Sequence, residues 1–137
     1  MTVQNITGAL SLLLRLTTVY FAVIALFALK KPKPFARCAP RTRFACLIAA
    51  RNEEAVIGDI VAALLAQQYP RALFDIWVIP NNCTDGTERA ARRAGARIFR
   101  CQGPVRCKGD ALQQVIGWLL PQNYDAFCVF DADNFVD

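Results

Sequence analysis

Twenty-two residues near the amino terminus, GALSLLLRLTTVYFAVIALFAL from Gly8 to Leu29, carry a single charge, Arg15. At 1.5 Å rise per residue the run makes roughly 33 Å of helix, enough to cross the hydrocarbon core of a bilayer. The alternatives for such a stretch are a buried core helix and a cleaved signal peptide, and the second lacks its positive leader, since MTVQNIT precedes the run. Residues 1–29 are therefore expected to be a transmembrane anchor, and a charge within the span, Arg15, suits contact with another helix. Directly after it come KKPKPFARCAPRTR, residues 30–43, a basic juxtamembrane linker. The positive-inside rule places such a flank in the cytoplasm, so the expected topology is a single pass through the cell membrane with residues 30–137 cytoplasmic.

The same asymmetry explains the net charge of +5. Residues 1–43 hold seven basic and no acidic side chains, whereas residues 44–137 hold nine basic and eleven acidic ones. The excess belongs to the membrane flank, which points to the lipid bilayer as a partner and away from nucleic acid. The six cysteines contain no C-x-x-C pair and are expected to stay reduced in the cytoplasm. Cys101 and Cys107 are the one spacing open to a redox pair. The absence of His removes imidazole bases and His-ligated metals from consideration, leaving carboxylates, Lys, Cys, Tyr and backbone groups.

From residue 44 onward the hydrophobic period switches repeatedly. FACLIA (44–49) reads as a buried strand, and Val56, Ile57, Ile60, Val61, Leu64 and Leu65 form one helical stripe, with Asn52 as its N-cap and Pro70 as its stop. FDIWVI (74–79) is a second strand, NNCTDGT a turn with Asp85 as helix N-cap, and TERAARRAG a helix closed by Gly95. Residues 96–100 make a short third strand. A third helix runs from about Gly109 to Leu120, and AFCVF (126–130) is the fourth strand. Alternation of this kind predicts an α/β fold with a doubly wound, mostly parallel sheet whose ligand site lies beyond the carboxyl ends of the strands. Residues 44–137 are read as one such domain.

Polar residues gather where that rule puts a site: Arg51, Asn52 and Glu53 after the first strand, Asn81 and Asn82 after the second, Lys108 before the third helix, Asp131 and Asp133 after the fourth. No G-x-G-x-x-G or G-x-x-x-x-G-K-[ST] accompanies them. Two carboxylates at i and i+2 repel one another unless a cation sits beside them, and oxygen-only ligands suit Mg²⁺ or Mn²⁺. Lys108 can meet a diphosphate as a point charge near a helix N-terminus.

Taken in order, IAARNEE, VIPNNCTDGT, CKGDAL and VFDADN resemble the family 2 glycosyltransferases, over about residues 44–137. The resemblance implies a GT-A fold, here preceded by a membrane helix as in the cellulose, chitin and hyaluronan synthase-like branch of polysaccharide biosynthesis. It implies a nucleotide-diphosphate sugar as donor, a UDP-sugar first, transferred to an acceptor glycan or lipid. Asp131 and Asp133 would take the metal, Asp131 also touching the nucleotide. Ala49 and Arg51 would line the base, Glu53 and Asn81 would lie on the donor side, and Lys108 towards the phosphates. Many relatives carry Asp where this chain has Asn81; an amide oxygen still accepts the uracil N3–H but without charge assistance. The resemblance places the catalytic base downstream of Asp137, so these residues are expected to be the N-terminal, donor-binding portion of the enzyme and inactive alone. Two other classes stay open on the sequence: a nucleotidyltransferase, disfavoured because IAARNEE lacks the glycines of a phosphate loop, and a non-catalytic nucleotide-binding or interaction protein.

Overall fold

The computed structural model describes residues 3–31, 38–134 and 136; the part of the basic linker that holds Lys33 and Arg37 lies outside the described residues. The chain divides into two units, the first ending at Cys38 and the second running from Ala39.

The first unit is built on α1 (Val3–Ala28), whose side chains from Gln4 onward are exposed to the surroundings. Leu14, Leu16, Phe21, Leu26 and Phe27 each leave more than half their surface open. Such an all-round apolar helix is stable in water only if something covers it. Its Ser and Thr hydroxyls bond within the helix: Ser11 Oγ donates to the Gly8 carbonyl at 3.0 Å and Thr18 Oγ1 to that of Leu14 at 2.8 Å. In hydrocarbon, which offers no water, that back-bonding is what a polar side chain needs. By length and composition, Gln4–Ala28 is long and apolar enough to cross a membrane.

The second unit is a four-stranded, wholly parallel sheet in the order β3-β2-β1-β4, made of β1 (Phe44–Ala50), β2 (Phe74–Pro80), β3 (Arg97–Ile98) and β4 (Ala126–Asp131). Because successive strand residues point to opposite faces, β1 feeds two cores. Cys46, Ile48 and Ala50 pack with Ile76 and Val78 beneath α2 (Ile57–Leu65) and α3 (Thr87–Arg93). Ala45 and Leu47 pack with Trp77 and Ile79 against Ala111, Val115 and Leu119 of α4 (Lys108–Leu119). The sheet is thus covered on both faces, as parallel sheets require.

The expected alternation is present, with local corrections. α2 stops at Leu65, five residues before Pro70, where the Ala66 N–H closes onto Ala62 and Leu64. Its start is corrected too: the N-cap position is Val56, and Asn52, at φ 57°, has turned its side chain to another loop. Of the third strand only Arg97 and Ile98 pair with β2. α4 begins one residue early, at Lys108, and ends at Leu119 with Leu120 exposed. Gly95 does end α3 as expected: its φ of 99° lets the Ala96 N–H reach back to the Ala91 carbonyl at 3.1 Å.

Candidate functional site

The strand order fixes where a site forms. From β1 the chain steps to β2 and β3 on one side and later crosses to β4 on the other, so the connections diverge at the carboxyl ends of β1 and β4, the position where open α/β sheets place their ligand crevice. Ala49 lies level with Ile79 of β2 and with Asp131 of β4. Arg51 and Glu53 follow β1, Asn81 follows β2, and Lys108 opens α4. The structure therefore brings Ala49, Asn81 and Asp131 to one edge of the sheet, and Lys108 joins them through an ion pair between its Nζ and Asp131 Oδ1.

The carboxylate pair owes its geometry to alternation. Ala132 is buried between Asp131 and Asp133, which are both exposed, so the two carboxylates leave the chain on the solvent side. The turn is closed by the Asn134 N–H donating to the Asp131 carbonyl at 3.2 Å. Asp133 also borders a hollow against the start of α2, with Val56, Asp59, Ile60 and Ala63. Two carboxylates with no third His, Cys, Asp or Glu grouped beside them, among the described residues, fit a hard divalent cation that draws its other ligands from phosphate oxygens and water.

Lys108 is held in reach by its flanks. Asp110 Oδ2 accepts the Arg106 N–H at 2.9 Å, and that bond is the main reason the Asp110 carboxyl sits below its ordinary pKa. Asn82, itself at φ 50°, donates from Nδ2 to the Val105 carbonyl at 3.0 Å, tying the β2 loop to the segment before α4. Asn81 donates its N–H to the Ala50 carbonyl at 2.8 Å, while its Oδ1 is buried and lacks a partner among the described residues. A buried acceptor left open costs about 1–3 kcal/mol, so this oxygen is poised for a donor from elsewhere.

The sequence did not reveal how the first two loops are sewn together. Asn52 Oδ1 accepts the Thr84 N–H at 2.8 Å, the Glu53 N–H donates to Thr87 Oγ1 at 2.9 Å, and the Glu54 N–H to Asp85 Oδ2 at 3.1 Å. In return Glu54 Oε2 accepts the Gly86 N–H at 2.8 Å, and a side chain at position 86 would collide with that carboxylate. Asp85 is thus a partial N-cap: it stands one residue before the capping position, Gly86, yet accepts from Thr87 N–H at 3.0 Å and from the Thr87 hydroxyl. The signal, N-E-E answered thirty residues on by T-D-G-T, was visible but had no partner until the strands were paired.

The Thr87 hydroxyl is the largest cause holding the Asp85 carboxyl below the usual Asp value, helped by backbone N–H groups of Thr87 and Glu54. A folded pKa below the unfolded one stabilises the loops above the unfolded value, about 3.9, and that contribution disappears as pH falls through the folded value. Carboxyl titration by NMR should accordingly find Asp85 below about 3.9, and Thr87→Val should move it back up. Titration of Asp85 at its ordinary value in the unmodified chain would break the link between these loops.

With this geometry in hand, comparison with known proteins is specific. Residues 40–134 match the family described as Glycosyltransferase like family 2. The chain belongs to that family and carries its GT-A fold. It is 33% identical over 100 residues to a beta-monoglucosyldiacylglycerol synthase of Synechocystis sp., covering 69% of this chain and 20% of that protein. It is 36% identical over 93 residues to the synthase of the same name from Nostoc sp., covering 64% and 19%. Among solved structures it resembles a mannosyltransferase from Pyrobaculum calidifontis in complex with GDP-Man and Mn²⁺, at a TM-score of 0.64 and 26% identity over 88% of this chain and 38% of that one. It also resembles glucosyl-3-phosphoglycerate synthase from Mycobacterium tuberculosis in complex with Mn²⁺, UDP and glucosyl-3-phosphoglycerate, at a TM-score of 0.52 and 26% identity, covering 67% and 34%. The chain spans about a fifth of the length of the curated relatives it matches.

Proposed function

We propose that this chain supplies the donor-binding part of a membrane-anchored glycosyltransferase, which binds a UDP-sugar together with Mg²⁺ or Mn²⁺ for transfer of the sugar to an acceptor glycan or lipid. The observation that carries the reading is the meeting of Ala49, Asn81, Lys108 and Asp131 at the carboxyl edge of neighbouring parallel strands. Asp131 and Asp133 hold the cation, which offsets charge on the leaving nucleoside diphosphate. Lys108 approaches the diphosphate, and the open Asn81 Oδ1 accepts a hydrogen bond from the base. Ala49 and Arg51 flank the base, with Ala49 presenting too small a side chain to block it, and Glu53 shapes the donor side through its bond to Thr87.

The name shared by the curated relatives favours a diacylglycerol-type lipid acceptor, which a membrane helix over residues 1–29 keeps at the bilayer surface. In this reading the basic residues 30–43 lie on the cytoplasmic side and residues 44–137 form the domain. A nucleotidyltransferase is less consistent, since β1 leads into Arg51-Asn52-Glu53 rather than a glycine-rich phosphate loop.

Calorimetric titration of the detergent-solubilised chain with UDP-glucose tests this. Binding is expected with Mn²⁺ or Mg²⁺ and is expected to vanish in excess chelator, because Asp131, Asp133 and a diphosphate repel one another without a cation. Equal affinity with and without chelator would remove the metal from the reading. Preference for GDP-mannose would reassign the base.

A further inference from the structure

We propose that Lys108 is a placeholder cation: before a divalent ion binds, its ammonium neutralises Asp131, and it is released to the diphosphate when donor and metal arrive together. The inference rests on the donor-binding reading above and adds a role to it, coupling of metal and nucleotide binding.

Lys108 is the sole lysine in the sequence beyond residue 33. Its partner is the last residue of β4, while Asp133 two positions on forms no ion pair among the described residues. Five arginines of the second unit are engaged elsewhere: Arg43 and Arg97 with Asp75, Arg89 with Glu54, Arg92 and Arg100 with Glu88. The Lys108 and Asp131 side chains are 42% and 61% exposed, so the pair is open to water and to incoming ligands.

An ammonium on Asp131 and a divalent cation on Asp131 exclude each other, by occupancy and by repulsion. A cation arriving alone must therefore displace Lys108 and leave it without a partner beside a new positive charge. When a diphosphate comes with the cation, the freed ammonium gains an anionic partner at the α4 N-terminus, where helix N–H groups also face anions. The same side chain thus opposes metal binding in the empty site and no longer competes for Asp131 once a diphosphate has taken its charge. By linkage, whatever factor the diphosphate adds to metal affinity the metal adds to diphosphate affinity. A lysine suits the task because it is a compact charge on a flexible four-carbon stem, whereas a guanidinium can grip both carboxylate oxygens at once.

Mn²⁺ binding to the detergent-solubilised chain, read from the EPR signal of free Mn²⁺ with and without UDP, tests the idea. Since exposed ion pairs are weak, Lys108→Gln is expected to bind Mn²⁺ alone about threefold more tightly than the unmodified chain. At saturating UDP the two chains should bind Mn²⁺ about equally, so that the coupling between the two ligands drops by about threefold. Lys108→Arg keeps the charge and can grip both carboxylate oxygens, so it should bind Mn²⁺ alone no more tightly than the unmodified chain. Misfolding weakens binding, so the gain in Mn²⁺ affinity is a readout that structural damage does not imitate. Unchanged or weaker Mn²⁺ binding by Lys108→Gln, in a background where the unmodified chain binds UDP only with Mn²⁺, would overturn the placeholder role and leave the donor-binding reading standing. Failure of the unmodified chain to bind UDP at any Mn²⁺ concentration would overturn both.

Discussion

Asp131→Asn is expected to weaken metal-dependent binding of UDP-glucose by on the order of 100-fold, about 2.7 kcal/mol, while leaving the fold intact. The side chain is exposed and lies at the end of β4, so the change neither opens a cavity nor unpairs a buried group. What it removes is the charge. An amide keeps the shape and one acceptor oxygen, yet a hard divalent cation loses an anionic ligand, and charge-assisted contacts are worth about twice neutral ones. Asp133→Ala should act in the same direction, because the turn closed at Asn134 presents both carboxylates on the solvent side of Ala132. Calorimetry at saturating Mn²⁺, with thermal unfolding as the control, measures both. Undiminished affinity in Asp131→Asn would detach the strand-end carboxylates from the metal and leave the crevice to bind its donor by other groups.

Much of the architecture could be read from period alone, and particular residues show why. In β1 the even positions Cys46, Ile48 and Ala50 and the odd positions Ala45 and Leu47 face different helices, so the strand is apolar throughout, and a run of that kind bounded by a polar cluster suffices to identify it. The stripe in α2 marks its buried residues, Ile57, Ile60, Val61 and Leu64, but not its ends, because Ala66 closes the helix with a backbone bond that any residue can make. Asn52 departs from the expected N-cap role for a related reason. Its side chain accepts from Thr84, 32 residues away, where a capping interaction would have been local.

The site divides in the same way. The placement of Asp131 and Asp133 at the end of the fourth strand is legible because the apolar run AFCVF stops there. The bond from Lys108 to Asp131 spans 23 residues and became visible only when β4 settled beside β1. The open Oδ1 of Asn81 is a property of burial, and burial of a polar loop residue depends on the neighbouring Ala50 carbonyl that holds its backbone in place. Contacts of high sequence separation carry no local signature, and the chemistry of this crevice is made of them.

The opposite end of the sheet offers a change with the converse effect: Asp75→Ala should lower stability by about 3 kcal/mol and leave nucleotide affinity unchanged. Asp75 is an acid inside the apolar run FDIWVI, 9% exposed, and it survives there by being paired. Tyr124 donates its hydroxyl to Asp75 Oδ2 at 2.7 Å, Arg43 approaches the same oxygen at 3.4 Å, and Arg97 reaches Oδ1 at 3.2 Å. Arg43 also lies over the Tyr124 ring at 4.7 Å, and the Trp77 indole N–H donates to the Tyr124 hydroxyl at 3.3 Å. Burial is the first cause, and the bond to Asp75 the second, that raises the Tyr124 pKa. Truncation to Ala leaves this hydroxyl without its acceptor and two guanidinium groups without their anion, though both arginines are partly exposed and recover some hydration, which keeps the cost below that of a fully buried pair. Asp75→Asn retains an acceptor for Tyr124 and should cost about 1 kcal/mol. Urea unfolding followed by the fluorescence of Trp77, which packs edge-on against Trp118 at 5.1 Å, reports the loss directly. From Asp75 to Asn81 the strand runs about 20 Å, so the network and the crevice share no side chain. A fall in UDP affinity as large as that of Asp131→Asn, measured at a urea-free temperature where the variant is folded, would mean that the two ends of the sheet communicate.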